Sequence, residues 1–114
     1  MKMTKALDQL QLRIGEWGDR TFPSHHDPDG TPNPRGPFWH LADPKKGEIW
    51  ELWSAIATHD EERTAEELAD CAILLLTIAH LTGVDLESAI LAKQSLNEQR
   101  RWGPPDENGV CLHT

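Results

Sequence analysis

Residues 64–83 read TAEELADCAILLLTIAHLTG, and this stretch decides the fold. Leu68, Cys71, Ala72, Leu75 and Ala79 recur at helical spacing, while Ile73, Leu74, Leu76 and Ile78 fill most of the remaining circumference. A helix that is apolar nearly all round is buried, often between partners. Thr64 and Glu67 stand at capping-box spacing, which predicts the helix start. Gly83 suits the left-handed position that ends it. The apolar run from Leu68 to Leu81 also holds Asp70, Thr77 and His80, so it is too short and too polar to span a bilayer.

Upstream, a helix is predicted from about Asp43, with Pro44 in its first turn, to about Thr58. Ile49, Leu52, Trp53 and Ile56 form its apolar stripe. Residues 18–38, GDRTFPSHHDPDGTPNPRGPF, read as a loop because Pro, Gly, Asp and Asn dominate. With its approach to the next helix, this long loop covers about 18–42. Such a loop in a small domain is functional or disordered. Before it, Leu7, Leu10 and Ile14 share one face of a helix running from about Lys5 to Trp17, with Thr4 as its N-cap. Downstream, Asp85 caps a fourth helix that runs to about Trp102, where Gly103 and two prolines stop it. No segment sustains period-two alternation. The expectation is an all-α, four-helix-type bundle forming one domain over residues 1–114.

Eleven basic and nineteen acidic residues give a formal charge of −8. That balance argues against a nucleic-acid polymer as partner unless a local basic patch exists. It does not exclude a nucleotide, because a bound metal inverts the local charge. Cys71 and Cys111 form no CxxC pair, and Cys71 reads as a small buried hydrophobe. A reducing cytosol fits this usage better than a secreted disulfide scaffold. The N-terminus, MKMTKALDQLQLRIGEW, is amphipathic and lacks the continuous apolar core of a signal peptide. No membrane partner is expected.

The chemistry-bearing residues lie on the helices. Glu48 and Glu51 are three apart on one helix, and Glu67 and Asp70 three apart on the next. Residues at i and i+3 share a face, so antiparallel neighbours can aim four carboxylates at one space. Four converging anions repel unless a hard divalent cation such as magnesium, with manganese as a second candidate, takes them as oxygen ligands. Acidic residues in a helix's first turn are also favoured by the helix dipole alone, which gives Glu67 an innocent explanation. Asp70 has none: it sits among Leu68, Ala69, Cys71, Ala72 and Ile73, where an uncompensated charge is costly. On the fourth helix Lys93, Asn97 and Arg100 fall at i, i+4 and i+7, a face suited to an oxyanion such as a triphosphate. On most helices such residues are simply solvated. Phe38 and Trp39, just before the motif helix, are candidates for contacting a base. His25, His26 and Asp27 form a polar loop, since adjacent residues chelate one ion poorly. Its functional version is a loop that folds over the base or sugar. His40, His59, His80 and His113 read as packing, capping or surface residues.

Glu48-Ile-Trp-Glu51 followed by Glu67-Leu-Ala-Asp70 resembles the ExxE…ExxD signature of MazG-like nucleotide pyrophosphohydrolases. RGPFWHL, EELADCAILLL and KQSLNEQRRWGPPDENGV resemble the dATP/dGTP pyrophosphohydrolase branch, so the likeness runs from about Arg35 onward. One departure is Gly47, which stands where the family motif often has a first glutamate. Another is a longer stretch between His40 and Glu48. The resemblance implies a helical bundle completed by dimerisation, as a homodimer or dimer of dimers, in a bacterial or phage-infected host cytosol. It implies hydrolysis of a nucleoside triphosphate between the α and β phosphates. One or two magnesium ions would sit among Glu48, Glu51, Glu67 and Asp70, with Lys93, Asn97 and Arg100 holding phosphates. It suggests dATP or dGTP as substrate. A pyrimidine deoxynucleotide pyrophosphatase stays open, as does a catalytically idle bundle that binds a nucleotide or protein.

Overall fold

The structure, a computed structural model, describes residues 6–114. The expected Thr4 cap and Lys5 start of the first helix lie outside that range. Five α-helices and one 3-10 turn (Pro23–His25) make up the described residues, with no strand among them. The helices are α1 (Ala6–Thr21), α2 (Arg35–Ala42), α3 (Glu48–Ala57), α4 (Glu61–Thr82) and α5 (Leu86–Gln99).

The long apolar helix is the spine. α1, α2 and α3 all pack on α4, which buries Cys71, Leu76, Thr77, Ala79 and Leu81. It starts earlier than the capping-box spacing predicted. Asp60 is the N-cap and its Oδ1 accepts from the Arg63 backbone N–H at 3.0 Å. Thr64 instead donates its hydroxyl to the Asp60 carbonyl at 2.6 Å. Glu67 therefore lies beyond the first turn, and the dipole explanation for it falls away. Gly83 does end the helix in the left-handed conformation, with φ of 71°. Asp85 caps α5 as predicted, accepting from the Ser88 N–H.

The segment expected to be a loop is partly helical. α1 continues past Trp17 to Thr21, and α2 occupies residues 35–42. The Pro and Gly of Pro34-Arg35-Gly36-Pro37 suggested a loop. However, Pro34 is the N-cap and Pro37 falls in the first turn, where backbone N–H groups have no helical acceptor to lose. The next helix starts at Glu48 rather than near Asp43. Pro44 lies in a turn whose Lys45 and Lys46 N–H groups are held by Asp43 Oδ1. Gly47 caps α3 against backbone: a Cβ there would stand 2.6 Å from Leu41 O and from Asp43 N. A glutamate at this position has no room without moving that turn, which accounts for the departure from the family motif.

Two faces lack partners among the described residues. The predicted α3 stripe points outward: Ile49, Trp53 and Ile56 are exposed, and only Ala55 of α3 is buried. On α4, Leu68 and Leu75 are likewise exposed. α5 leaves α4 at a bend of 107°, packs on α1 and buries none of its residues. No single helix among the described residues is long and apolar enough to cross a membrane.

Candidate active site

Packing α3 against α4 brings Glu48, the first residue of α3, beside Glu67 and Asp70, one turn apart on α4. One carboxylate oxygen from each lies within 4.8 Å of the other two. Among the described residues no lysine or arginine pairs with any of the three. His40 of α2 reaches the cluster, its Nε2 standing 3.3 Å from Glu48 Oε1.

The burden of this arrangement falls on Glu67 rather than Asp70. Glu67 Oε2 is buried and has no hydrogen-bond partner. Desolvation, a hydrogen-bonding contact with Glu48, and the charges of Glu48, Asp70 and Glu51 push its carboxyl above the ordinary glutamate range. Asp70 is exposed, so the cost assigned to it from its apolar sequence neighbours is not incurred; those neighbours turn to other sides of the helix. Beneath the cluster, burial pushes the Cys71 thiol up, and the charges of Glu48, Glu67 and Asp70 push it further. Cys71 is thus the inert buried hydrophobe its surroundings suggested.

Glu51 stands apart from the other three. Its Oε2 accepts from Arg63 Nη2 at 3.0 Å, and the pair lies toward solvent. It is still near enough to raise Glu67. An exposed ion pair contributes only about 0–1 kcal/mol, so a rotamer change that turns Glu51 inward costs little.

A cation fits this donor set. An unpaired buried carboxylate oxygen, a carboxyl held above its normal range by its neighbours, and all-oxygen donors are what a hard divalent ion relieves.

Beside the carboxylates opens a cavity of about 410 Å³, walled by α1, the 3-10 turn, α2 and α4. Glu48 and Asp70 form one edge, and Trp17, Phe22, His25, Pro37 and Ile73 line its apolar interior. Phe38 and Trp39 do not line it. They stack edge to face at 5.2 Å on the outer side of α2, about half exposed. Once residues 35–42 are helical the reason is plain: Gly36, Pro37 and His40 share the inner face, and Phe38 and Trp39 fall outside it. The aromatic wall comes instead from Trp17 and Phe22. A helical reading of residues 18–21 and 35–42 was the signal that would have found it.

Lys93, Asn97 and Arg100 are not brought to the carboxylates within one chain, because α5 departs at 107° and packs on α1. Asn97 and Arg100 line a shallow surface depression with Trp102. Arg100 has already left the helix as its C-cap, so the three do not form one continuous helical face. His26 and Asp27 form no metal group with His25. His26 faces Asp19 at 3.7 Å, and Asp27 organises the turn over residues 27–33.

No family model matches the sequence. A dATP/dGTP diphosphohydrolase of Salmonella phage PMBT28 is 35% identical over 102 residues, which is 87% of this chain and 29% of that protein. A dATP/dGTP diphosphohydrolase of Cyanophage S-2L is 33% identical over 111 residues, 97% of this chain and 90% of that one. The chain thus spans under a third of the first relative and nearly all of the second. Among solved structures, the Cyanophage S-2L MazG-like pyrophosphohydrolase bound to dGDP and three catalytic Mn²⁺ ions per active site superposes with a TM-score of 0.67. The identity there is 28%, covering 99% of this chain and 97% of that one.

Proposed function

The chain belongs to the MazG-like dATP/dGTP pyrophosphohydrolase family, and from that premise we propose that it cleaves a purine deoxynucleoside triphosphate between the α and β phosphates, giving the monophosphate and pyrophosphate. The observation that carries this reading is the uncompensated trio Glu48, Glu67 and Asp70 at the edge of a cavity of nucleoside size. Magnesium is the proposed physiological ion. The similar cyanophage structure holds three Mn²⁺ ions per site, more than the one or two expected from the carboxylate pairs. Glu48, Glu67 and Asp70 would hold the cations, with Glu51 turning in from Arg63 to join them. A divalent cation, when bound, supplies charge neutralisation along the triphosphate and lowers the pKa of nearby water.

The chain's own residues do the rest. By holding the cations, the carboxylates would place the triphosphate end at the cavity mouth, and one of them takes the proton from the water that attacks the α phosphorus. The bond from that phosphorus to the bridging oxygen breaks opposite the incoming water, and pyrophosphate leaves. The apolar cavity takes the base and excludes bulk water from that side. His40, in contact with Glu48, positions that carboxylate.

Lys93, Asn97 and Arg100 enter the reading through a second copy. The exposed Ile49, Trp53, Leu68 and Leu75 support an assembly, since so much exposed apolar surface is unusual on a monomer. α5 packs on α1 but buries none of its residues, which leaves its outer face open to reach a neighbouring subunit's site, where these residues would meet the phosphates. The reading is tested by incubating the protein with each deoxynucleoside triphosphate and magnesium or manganese, then identifying products. Monophosphate and pyrophosphate from dGTP or dATP support it. Diphosphate and orthophosphate, or no turnover, contradict it.

A further inference from the structure

His25 is the one titratable group in the cavity wall that the proposed reaction leaves unused. Its side chain is 92% buried, being 8% exposed. Its backbone is fixed on both sides: its N–H donates to the Phe22 carbonyl at 3.1 Å, and its carbonyl accepts from Asn33 N–H at 2.7 Å. The ring packs on Phe22 with centroids 4.9 Å apart. The imidazole is therefore held rigidly, yet it makes no hydrogen bond to any other described residue. Nδ1 is buried without a partner.

Its orientation follows from Gly18. A Cβ built there would stand 3.3 Å from Nδ1 and 3.4 Å from Cε1, so that edge of the ring lies against α1. Nε2 is not sealed in this way, and the ring lines the cavity. Burial is the main cause that lowers the His25 pKa, with the charge of Asp19 opposing it, so the ring is neutral at pH 7. A neutral imidazole has one donor and one acceptor. With Nδ1 sealed against Gly18, the less costly tautomer leaves a lone pair there and the N–H on Nε2. A rigid, preformed donor in an apolar wall is how small-molecule sites set specificity.

We propose that His25 reads the base, donating from Nε2 to a purine ring nitrogen, N7 or N3. Both purines present these acceptors at the same places; a pyrimidine has no counterpart of N7 and only an exocyclic O2 near the place of N3. The inference rests on the reading of this cavity as a nucleotide site, and it names the residue that selects the substrate there. Buried polar groups left unpaired by the wrong ligand discriminate more strongly than apolar fit does.

The test is equilibrium binding of the α,β-methylene analogues of dGTP, dATP and dCTP by calorimetry in manganese. It uses the full chain and its His25→Phe and His25→Gln variants. Wild type should bind both purine analogues at least tenfold more tightly than the dCTP analogue. His25→Phe keeps the ring packing and should lose about tenfold on the purines, with dCTP within twofold. His25→Gln, whose amide N–H can stand near the Nε2 position, should recover part of the loss. On wild type alone, the 7-deaza or the 3-deaza purine analogue should show the same tenfold loss, which requires no variant to fold. Equal losses on all three bases, no loss with either deaza analogue, or no binding of any analogue would overturn the proposal. Selective binding without hydrolysis of the parent nucleotides would sink the proposed reaction and leave the base reading standing.

Discussion

Gly15→Ala is expected to destabilise the protein although alanine is the better helix former. Gly15 is buried on α1 against His80 of α4. A Cβ there would lie 2.3 Å from both Cγ and Nδ1 of His80 and 2.7 Å from Cδ2. No small adjustment clears three ring atoms at such distances, so the imidazole must leave. It then gives up its 2.8 Å hydrogen bond to Asp19 Oδ2, which ties α4 to α1. Overpacking of this kind costs about 1–3 kcal/mol. The lost hydrogen bond, partly exposed, costs about 1–2 kcal/mol more. Helix propensity returns about 1 kcal/mol. The net expectation is a loss of about 1–4 kcal/mol, read as a lower urea midpoint at unchanged slope. Since Trp17 and Ile73 on these two helices face the same cavity, nucleotide binding should weaken as well. The double variant Gly15→Ala/His80→Ala isolates the cause. It removes the clash and should be at least as stable as His80→Ala alone. A Gly15→Ala protein as stable as wild type, or more so, would refute the reasoning and leave propensity as the deciding effect.

Glu67→Gln should lower turnover at least a hundredfold while raising the melting temperature of the metal-free protein, because it removes one of three mutually repelling carboxylates. Asp70→Asn should also abolish turnover with the helical circular dichroism unchanged; wild-type turnover in either variant contradicts the metal assignment. Mixing Asp70→Asn subunits with Lys93→Ala subunits should restore activity that neither has alone if α5 serves a neighbour's site, and additive inactivity rules that out. For His25 the folded pKa lies below the ordinary 6.5. Its contribution to stability is therefore complete above about pH 6.5 and is lost as pH falls through the folded value, because the unfolded chain binds the proton more readily. Urea midpoints taken between about pH 7.5 and 5 should accordingly fall less in His25→Phe than in wild type.

The all-α class and the pairing of the two motif helices were legible because α4 carries an unbroken apolar run and because i, i+3 spacing is local geometry. Gly83 and Asp85 marked helix ends correctly for the same local reason. What failed depended on context. Proline counts in residues 34–37 look identical whether they break a helix or begin one, so α2 was hidden and with it the outer-side position of Phe38 and Trp39. Thr64 at capping-box spacing competed with Asp60, and the strand-like backbone of Asp60 won the cap. Asp70's apolar neighbours in sequence said nothing of which side of α4 it faces, whereas Glu67's burial arises only when α3 is docked. The remote position of Lys93 and Asn97 comes from the turn at Gly83, whose angle no periodicity encodes.

Hydrolysis of dGTP in ¹⁸O-labelled water, with manganese or magnesium present, tests most directly whether the Glu48–Glu67–Asp70 site directs water to the α phosphorus. The label should appear in the deoxynucleoside monophosphate, with unlabelled pyrophosphate, and neither product should form without the metal or in Glu67→Gln. Label in the pyrophosphate, or turnover that persists after chelation of the metal, would contradict the account.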